Sequence, residues 1–293
     1  MNDAVVSDQF TAFWKDVLVA KFERFRNIML EGLSYHSQVP FRSLDVPHGA
    51  KVLDVGCGWG DTAIELARKA GPSGSVLGLD ICDEFMEKGR RDARAAGLDN
   101  VTFVEADVQT FRFAPEYDLC FSRFGMMFFS NPVAAMRNLR TALKPGGRLV
   151  FITWRTIADN PWLGVPKGVV QKFLPPPGED AATCGPGPFS MSNTEIVGAQ
   201  LKAAGFADVE FTRVDGPVMV GRDVEQAIAF QLALGPAGEI VREAGALAEA
   251  RKEEIDGALR AELTRYRQAD GSVVLPSSSW TIVARNPAGK GTS

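Results

Sequence analysis

Three acids and a run of glycines are the residues best placed to do chemistry in this chain. In Val52-Leu53-Asp54-Val55-Gly56-Cys57-Gly58-Trp59-Gly60-Asp61-Thr62, an apolar stretch carrying one carboxylate runs into a glycine-packed turn. A turn of that kind between a strand and a helix lets the backbone approach a ligand closely, commonly to seat a phosphate on the helix N-terminus. Asp54 argues against a phosphate. Two residues before the first glycine, it would repel a doubly negative group and suit a ligand carrying an ammonium or sulfonium. The spacing agrees, because a dinucleotide fingerprint asks for a third glycine where this chain has Asp61. Glycine turns also join strands to helices for packing alone, so the motif needs company.

Company follows at the intervals of alternating strands and helices. Ser75 to Asp80 is a short apolar run ending in an acid about 20 residues beyond the glycines, as needed to hold a ribose diol; a helix N-cap is the plainer role for Asp80. Val101 to Val108 is a third strand with Asp107 at its end, a solvated turn aspartate on its own evidence. Tyr117 to Phe124 reads as a fourth strand running into Phe124-Gly125-Met126-Met127-Phe128-Phe129, an apolar tip that either caps a core or faces a pocket. An amphipathic helix from Pro132 to Leu143, a Lys144-Pro145-Gly146-Gly147 turn and a fifth strand from Arg148 to Trp154 complete the series.

The glycine run and the Leu143-Lys144-Pro145-Gly146-Gly147-Arg148-Leu149 segment resemble the class I S-adenosylmethionine-dependent methyltransferases. The likeness is to the subgroup of the ubiquinone and menaquinone biosynthesis C-methyltransferases (methyltransferase type 11). It implies an α/β fold: a Rossmann-like, doubly wound, mostly parallel seven-stranded sheet, here with an N-terminal helical arm and a helical insertion before an antiparallel last strand. It also implies S-adenosylmethionine as cofactor, a ligand that carries both an ammonium and a sulfonium. Carried over by position, Asp54, Gly56 and Gly58 surround the methionine part, with Gly60 and Thr62 in the same turn. Asp80 and Ile81 take the ribose, Asp107 and Val108 the adenine, and Ser122 and Arg123 lie near the sulfur.

Residues outside the motifs set the acceptor side. Phe124, Met127, Trp154, Trp162 and Phe189 are the candidate substrate contacts. A base is needed only if the acceptor must lose its own proton. Of two histidines, His48 precedes the first strand on the edge away from the site, whereas His36 sits where the arm meets the domain and is a candidate base or a structural histidine. Arg123 is a candidate to hold a carboxylate or phenolate. These residues predict methyl transfer to the O, N, S or C atom of a small, mostly apolar or aromatic molecule. The alternatives are a non-catalytic S-adenosylmethionine-binding sensor or partner and, less favoured, a nicotinamide-dependent oxidoreductase.

Organisation and composition frame these assignments. The chain divides into an arm at 1–45, a cofactor-binding core at 46–155, a punctuated lid segment at 156–192, a core continuation at 193–222, a helical insertion at 223–268, and a last strand with a tail expected to fray at 269–293. At 293 residues, 45% hydrophobic and 23% charged, it is a globular composition. A net charge of −4 offers no basic footprint for a nucleic acid. No stretch approaches the roughly 20 apolar residues of a membrane span, so a cytoplasmic protein is expected, and a homodimer is left open. Four cysteines, at 57, 82, 120 and 184, show no paired spacing; they read as reduced thiols with no metal site, Cys184 alone lying in an open loop.

Overall fold

The structure is a computed structural model describing residues 9–178, 181–183 and 185–288. Cys184 and the end of the tail, from 289 on, lie outside the described residues. The strands are β1 (Lys51–Val55), β2 (Ser75–Asp80), β3 (Val101–Glu105), β4 (Tyr117–Arg123), β5 (Leu143–Trp154), β6 (Ala207–Gly221) and β7 (Val273–Arg285). They form one sheet in the order β3-β2-β1-β4-β5-β7-β6. Strands β1 to β5 run parallel, and β7 is antiparallel to both of its neighbours.

Burial on both faces explains why the parallel strands are nearly continuous apolar runs. Side chains alternate between the faces. Val52, Leu119, Phe121, Val150 and Ile152 join a core with Phe41, Ile64, Leu66 and Met86, whereas Leu53, Cys120, Leu149 and Phe151 join a second core with Met136, Leu139, Val197 and Leu201. In chain order the helices are α1 (Val19–Arg24), α2 (Arg26–Gly32), α3 (Ser34–Ser43), α4 (Asp61–Ala70), α5 (Asp83–Ala95), α6 (Pro132–Ala142), α7 (Pro161–Val170), α8 (Thr194–Ala203), α9 (Val224–Ala233), α10 (Gly235–Ala244), α11 (Ala246–Ala250) and α12 (Lys252–Leu263). The first core thus carries α3, α4 and α5, and the second carries α6 and α8.

Several elements differ from the sequence pattern, each for a packing reason. The arm is not one helix: a π turn at Trp14–Leu18 precedes α1, and breaks at Phe25 and Leu33 separate α1, α2 and α3. The insertion's helical pattern falls into two stretches, 224–234 and 237–266, and the second is divided at Gly245, where φ is +49°, and again at Arg251. The sequence pattern marks strands over 207–214 and 279–285, but β6 continues to Gly221 and β7 begins at Val273, pairing through Pro217 and Pro276. Two facing prolines and a serine run carry no apolar alternation, so the pattern is silent there. Tertiary contact supplies what the pattern lacks: Tyr35 packs on Gly216, and Gly32 lies against the Met219 carbonyl.

The lid segment holds a helix, α7, with Pro161 in its first turn, where a missing N–H costs nothing. Asn160, fully buried, ties this helix to β7. Its side-chain nitrogen donates to the carbonyls of Arg155, Thr156 and Ser278, and its oxygen accepts from the Ser278 N–H at 3.0 Å and the Trp162 indole at 3.2 Å. Asn160→Ala would strand these buried groups, each worth about 1–3 kcal/mol when unpaired. Urea unfolding should show a loss of at least about 2 kcal/mol, and an unchanged midpoint would mean that the contacts are dispensable.

Candidate active site

The C-terminal ends of parallel strands leave a crevice where the strand order reverses, and here β1 separates β2 from β4 at that point. A cavity of about 490 Å³ opens there. Its floor is built by Gly56 to Trp59 after β1, Leu79 to Ile81 after β2, Ala106 to Gln109 after β3, Arg123 to Gly125 after β4, and Trp154 at the end of β5. The arm, the lid segment and the insertion form the rest of the wall through residues such as Trp14, Phe22, Trp162, Pro186, Phe230 and Glu239.

The turn after β1 is fixed from two sides. The Asp80 carboxylate accepts the Gly58 N–H at 2.9 Å and the Cys82 N–H at 3.0 Å, and the Cys57 N–H donates to the Leu79 carbonyl. Gly58 has φ +51°, and a Cβ added to it would meet nothing within 4 Å, so the backbone there faces open space. Gly60, at φ +76°, has another job: a Cβ there would lie 2.6 Å from the Phe103 ring. It is a packing glycine and does not line the cavity.

Asp54 lies beneath this turn, wholly buried. Its Oδ2 accepts the Thr62 hydroxyl at 2.6 Å, and Oδ1 has no partner within the protein. Burial pushes the carboxyl up to about 7, opposed by the Thr62 hydrogen bond and the Arg123 charge. Arg123 lines the cavity, but its guanidinium is already held, 2.7 Å from Asp61 and 3.0 Å from the Ser37 hydroxyl. Asp61, the residue that breaks the dinucleotide glycine pattern, is thus the counter-ion of Arg123.

Eleven of the residues expected at the site line the cavity: Gly56, Gly58, Asp80, Ile81, Asp107, Val108, Arg123, Phe124, Met127, Trp154 and Trp162. Six do not. Asp54, Gly60, Thr62 and Ser122 support the turn from below, Ser122 with its hydroxyl buried and unpaired. Phe189 packs against the core outside the cavity wall, while its neighbours Pro186 to Pro188 line it.

His36 is the clearest departure from expectation. It is fully buried, off the cavity wall, with Nδ1 2.8 Å from the Ser279 hydroxyl and Nε2 2.6 Å from the Ser277 hydroxyl. Ser277 spends its proton on the Gly216 carbonyl, so Nε2 must donate and Nδ1 must accept. Burial lowers this ring to about 4. A neutral imidazole with both nitrogens engaged is a strut between α3 and β7, not a base.

The expected aromatics form a connected wall, and the pattern missed Trp59 and Gln109 beside it. Phe124 has φ +57°, uncommon for a bulky side chain, and its ring stacks on Trp154 at 4.1 Å, which in turn meets Trp162 at 5.1 Å. Trp59, inside the glycine motif, meets Phe85 at 5.5 Å and donates its indole N–H to Glu23 of the arm. Gln109 bonds Asp107 through its own N–H at 2.8 Å and accepts from Ser130 and Asn131, bracing the turn after β3. Its place two residues after Asp107 was the available signal. Among the described residues, no group of acids, histidines and cysteines could hold a metal, and no helix is long and apolar enough to cross a membrane.

Comparison with known proteins places this geometry. Residues 52–147 match a family described as a methyltransferase domain. A demethylmenaquinone methyltransferase of Staphylococcus aureus is 31% identical over 134 residues, 45% of this chain and 55% of that protein, so the match spans about half of the relative's length. Among solved structures, the YcgJ protein of Bacillus subtilis superposes with a TM-score of 0.56 at 16% identity, covering 86% of this chain and 98% of that one. A phosphoethanolamine N-methyltransferase of Haemonchus contortus, solved with S-adenosyl-L-methionine, gives 0.50 at 18% identity over 88% of this chain and 52% of that one. At those identities the structures speak to the fold alone. Residues 52–147 thus match a methyltransferase domain, carried on a seven-stranded sheet of the fold those structures share. The cofactor that the resemblance implies is S-adenosylmethionine.

The buried Asp54 makes a pH-dependent prediction. A carboxyl raised from 3.8 to about 7 binds its proton more tightly folded than unfolded, so its contribution to stability is full below 3.8 and lost as pH rises to 7. His36 acts in the opposite sense, its contribution full above 6.5 and lost as pH falls toward 4. In the ligand-free protein, the melting temperature of Asp54→Asn relative to wild type should therefore climb from pH 5 to 7 and level off above. A difference that stays constant across that range would contradict a protonated Asp54.

Proposed function

We propose that the protein transfers a methyl group from S-adenosylmethionine to a small, mostly apolar or aromatic molecule bound in the cavity above the sheet. The observation that carries this reading is the cavity's two-part chemistry. Backbone turns and acids line its floor, and aromatic and aliphatic side chains line the rest.

The floor fits the cofactor. At Gly58 the backbone leaves room that a Cβ would fill, and a buried carboxylate oxygen of Asp54 lies unpaired beneath the same turn. In this reading Gly56 and Gly58 hold the methionine part, Asp80 and Ile81 the ribose, and Asp107 and Val108 the adenine. Asp80 keeps capacity for the ribose, since each of its oxygens accepts one backbone N–H and has a further lone pair. When bound, S-adenosylmethionine supplies an electrophilic methyl group on a sulfonium leaving group.

The chain's own part is then to orient the acceptor and to exclude water. Phe124, Met127, Trp154 and Trp162 form an apolar wall at the ends of β4 and β5. Among the described residues, no histidine, tyrosine or lysine lines the cavity. The bases that do line it are the carboxylates of Asp80, Asp107 and Glu239, and an ionised phenol, a stabilised carbanion or an amine lone pair would need none of them. The demethylmenaquinone methyltransferase among the relatives, by its name, acts on an apolar quinone, which is the same class of acceptor.

Asp80→Asn preserves shape but removes the charge, and each charge-assisted hydrogen bond lost is worth about 1.5–3 kcal/mol. Calorimetry should show S-adenosylhomocysteine affinity falling at least tenfold, with Phe189→Ala unchanged. A change below twofold in a folded Asp80→Asn protein refutes the ribose assignment. On the acceptor side, Trp162→Ala should raise the acceptor KM or lower kcat while cofactor affinity barely moves. Equal loss of cofactor affinity would place Trp162 on the wrong half of the cavity.

A further inference from the structure

Three segments outside the sheet close the cavity, and one side chain touches all three. Arg242, on α10 of the insertion, bonds Glu239 through Nε and Nη2 at 3.1 and 2.8 Å and Glu243 through Nη1 at 2.6 Å. Nη2 also donates to the Ala182 carbonyl of the lid segment at 2.6 Å. The guanidinium carbon stands 4.9 Å from the centroid of the Phe13 ring in the arm, within cation–π range. Glu239 and Ala182 are themselves wall residues, as are Phe10, Thr11 and Trp14 around Phe13. A second arginine of the insertion, Arg251, makes a similar pair of contacts midway along the lid, donating to the Phe173 carbonyl at 3.0 Å with its guanidinium over the Phe173 ring at 5.0 Å.

We infer that Arg242 is a positioning residue that latches arm, lid and insertion together over the cavity. The planar guanidinium suits the task, because its fork serves carboxylate and carbonyl in its plane while its face meets the ring. The two carboxylates hold it in place. The lid carbonyl and the aromatic ring are then the two contacts that opening would break. Neither involves the sheet or the glycine turn, so the latch bears on how the cavity is closed and leaves its floor intact. This inference rests on the proposed methyl-transfer reading only for the purpose of the closure.

Tryptophan fluorescence tests it in the full-length protein, since Trp14, Trp59, Trp154 and Trp162 line the cavity and only Trp280 of the five does not. Acrylamide quenching of Arg242→Gln should give a Stern–Volmer constant at least twofold above wild type, with unchanged far-ultraviolet circular dichroism. Arg242→Lys, which keeps the cation but not the fork, should fall between the two. Phe13→Leu removes the ring alone and should give a smaller rise, which keeps the test open if the glutamine variant is poorly folded. Arg260→Gln, which breaks an ion pair with Glu225 elsewhere on the insertion, should match wild type. Quenching equal to wild type in both Arg242→Gln and Phe13→Leu, or an equal rise in Arg260→Gln, overturns the latch. Calorimetry of the wild-type protein with S-adenosylhomocysteine separates the two claims: binding without the quenching difference sinks only the latch, and the quenching difference without binding sinks only the cofactor reading.

Discussion

The rest of the site depends on the carboxylate of Asp80 bridging two strand ends. By accepting N–H groups from Gly58 and Cys82 it locks the turn after β1 to the turn after β2, and so decides where the backbone of the glycine motif faces. Both donors are main-chain groups, which would otherwise be left without partners in a site that excludes water. Burial raises the carboxyl above its ordinary range while the backbone hydrogen bonds pull it back. The same atoms that hold the floor in shape are therefore the ones offered to a ligand.

Around that floor, charge is balanced within the protein. Arg123 is matched by Asp61, and Arg242 by Glu239 and Glu243, so the cations near the cavity arrive with partners already in place. Asp54, by contrast, is a buried acid with one oxygen unpaired. An ion left in that state is costly, and its proton affinity rises in consequence. A cation bound above the turn would relieve this, which is the electrostatic reason for preferring a sulfonium or ammonium ligand to a pyrophosphate.

The core was legible because its signals are local. Apolar runs of strand length ending in acids, a glycine turn and a Lys-Pro-Gly-Gly turn mark β1 to β5, and position along those strands placed Asp80, Asp107, Phe124 and Trp154 on the cavity. What could not be read was whatever depends on contact between distant segments. His36 looked available because sequence does not reveal two serines of β7, more than 240 positions away, closing on its nitrogens. Phe189 and Trp162 looked alike, yet Asn160 holds the second by its indole on the cavity wall, whereas the first packs against the core. The breaks in the arm and at Gly245 escaped notice because helical periodicity survives them; the apolar face continues although the axis bends.

On the proposed reading, the cavity over the ends of β1 to β4 is a cofactor site extended by an apolar acceptor chamber. A crystal structure of the protein with S-adenosylhomocysteine tests that reading. The ribose hydroxyls should lie within hydrogen-bond distance of Asp80, the adenine beside Asp107 and Val108, and the sulfur facing the Phe124 and Trp154 wall. Electron density for the nucleoside elsewhere on the protein, or a nucleoside turned so that its sulfur points away from that wall, would contradict it.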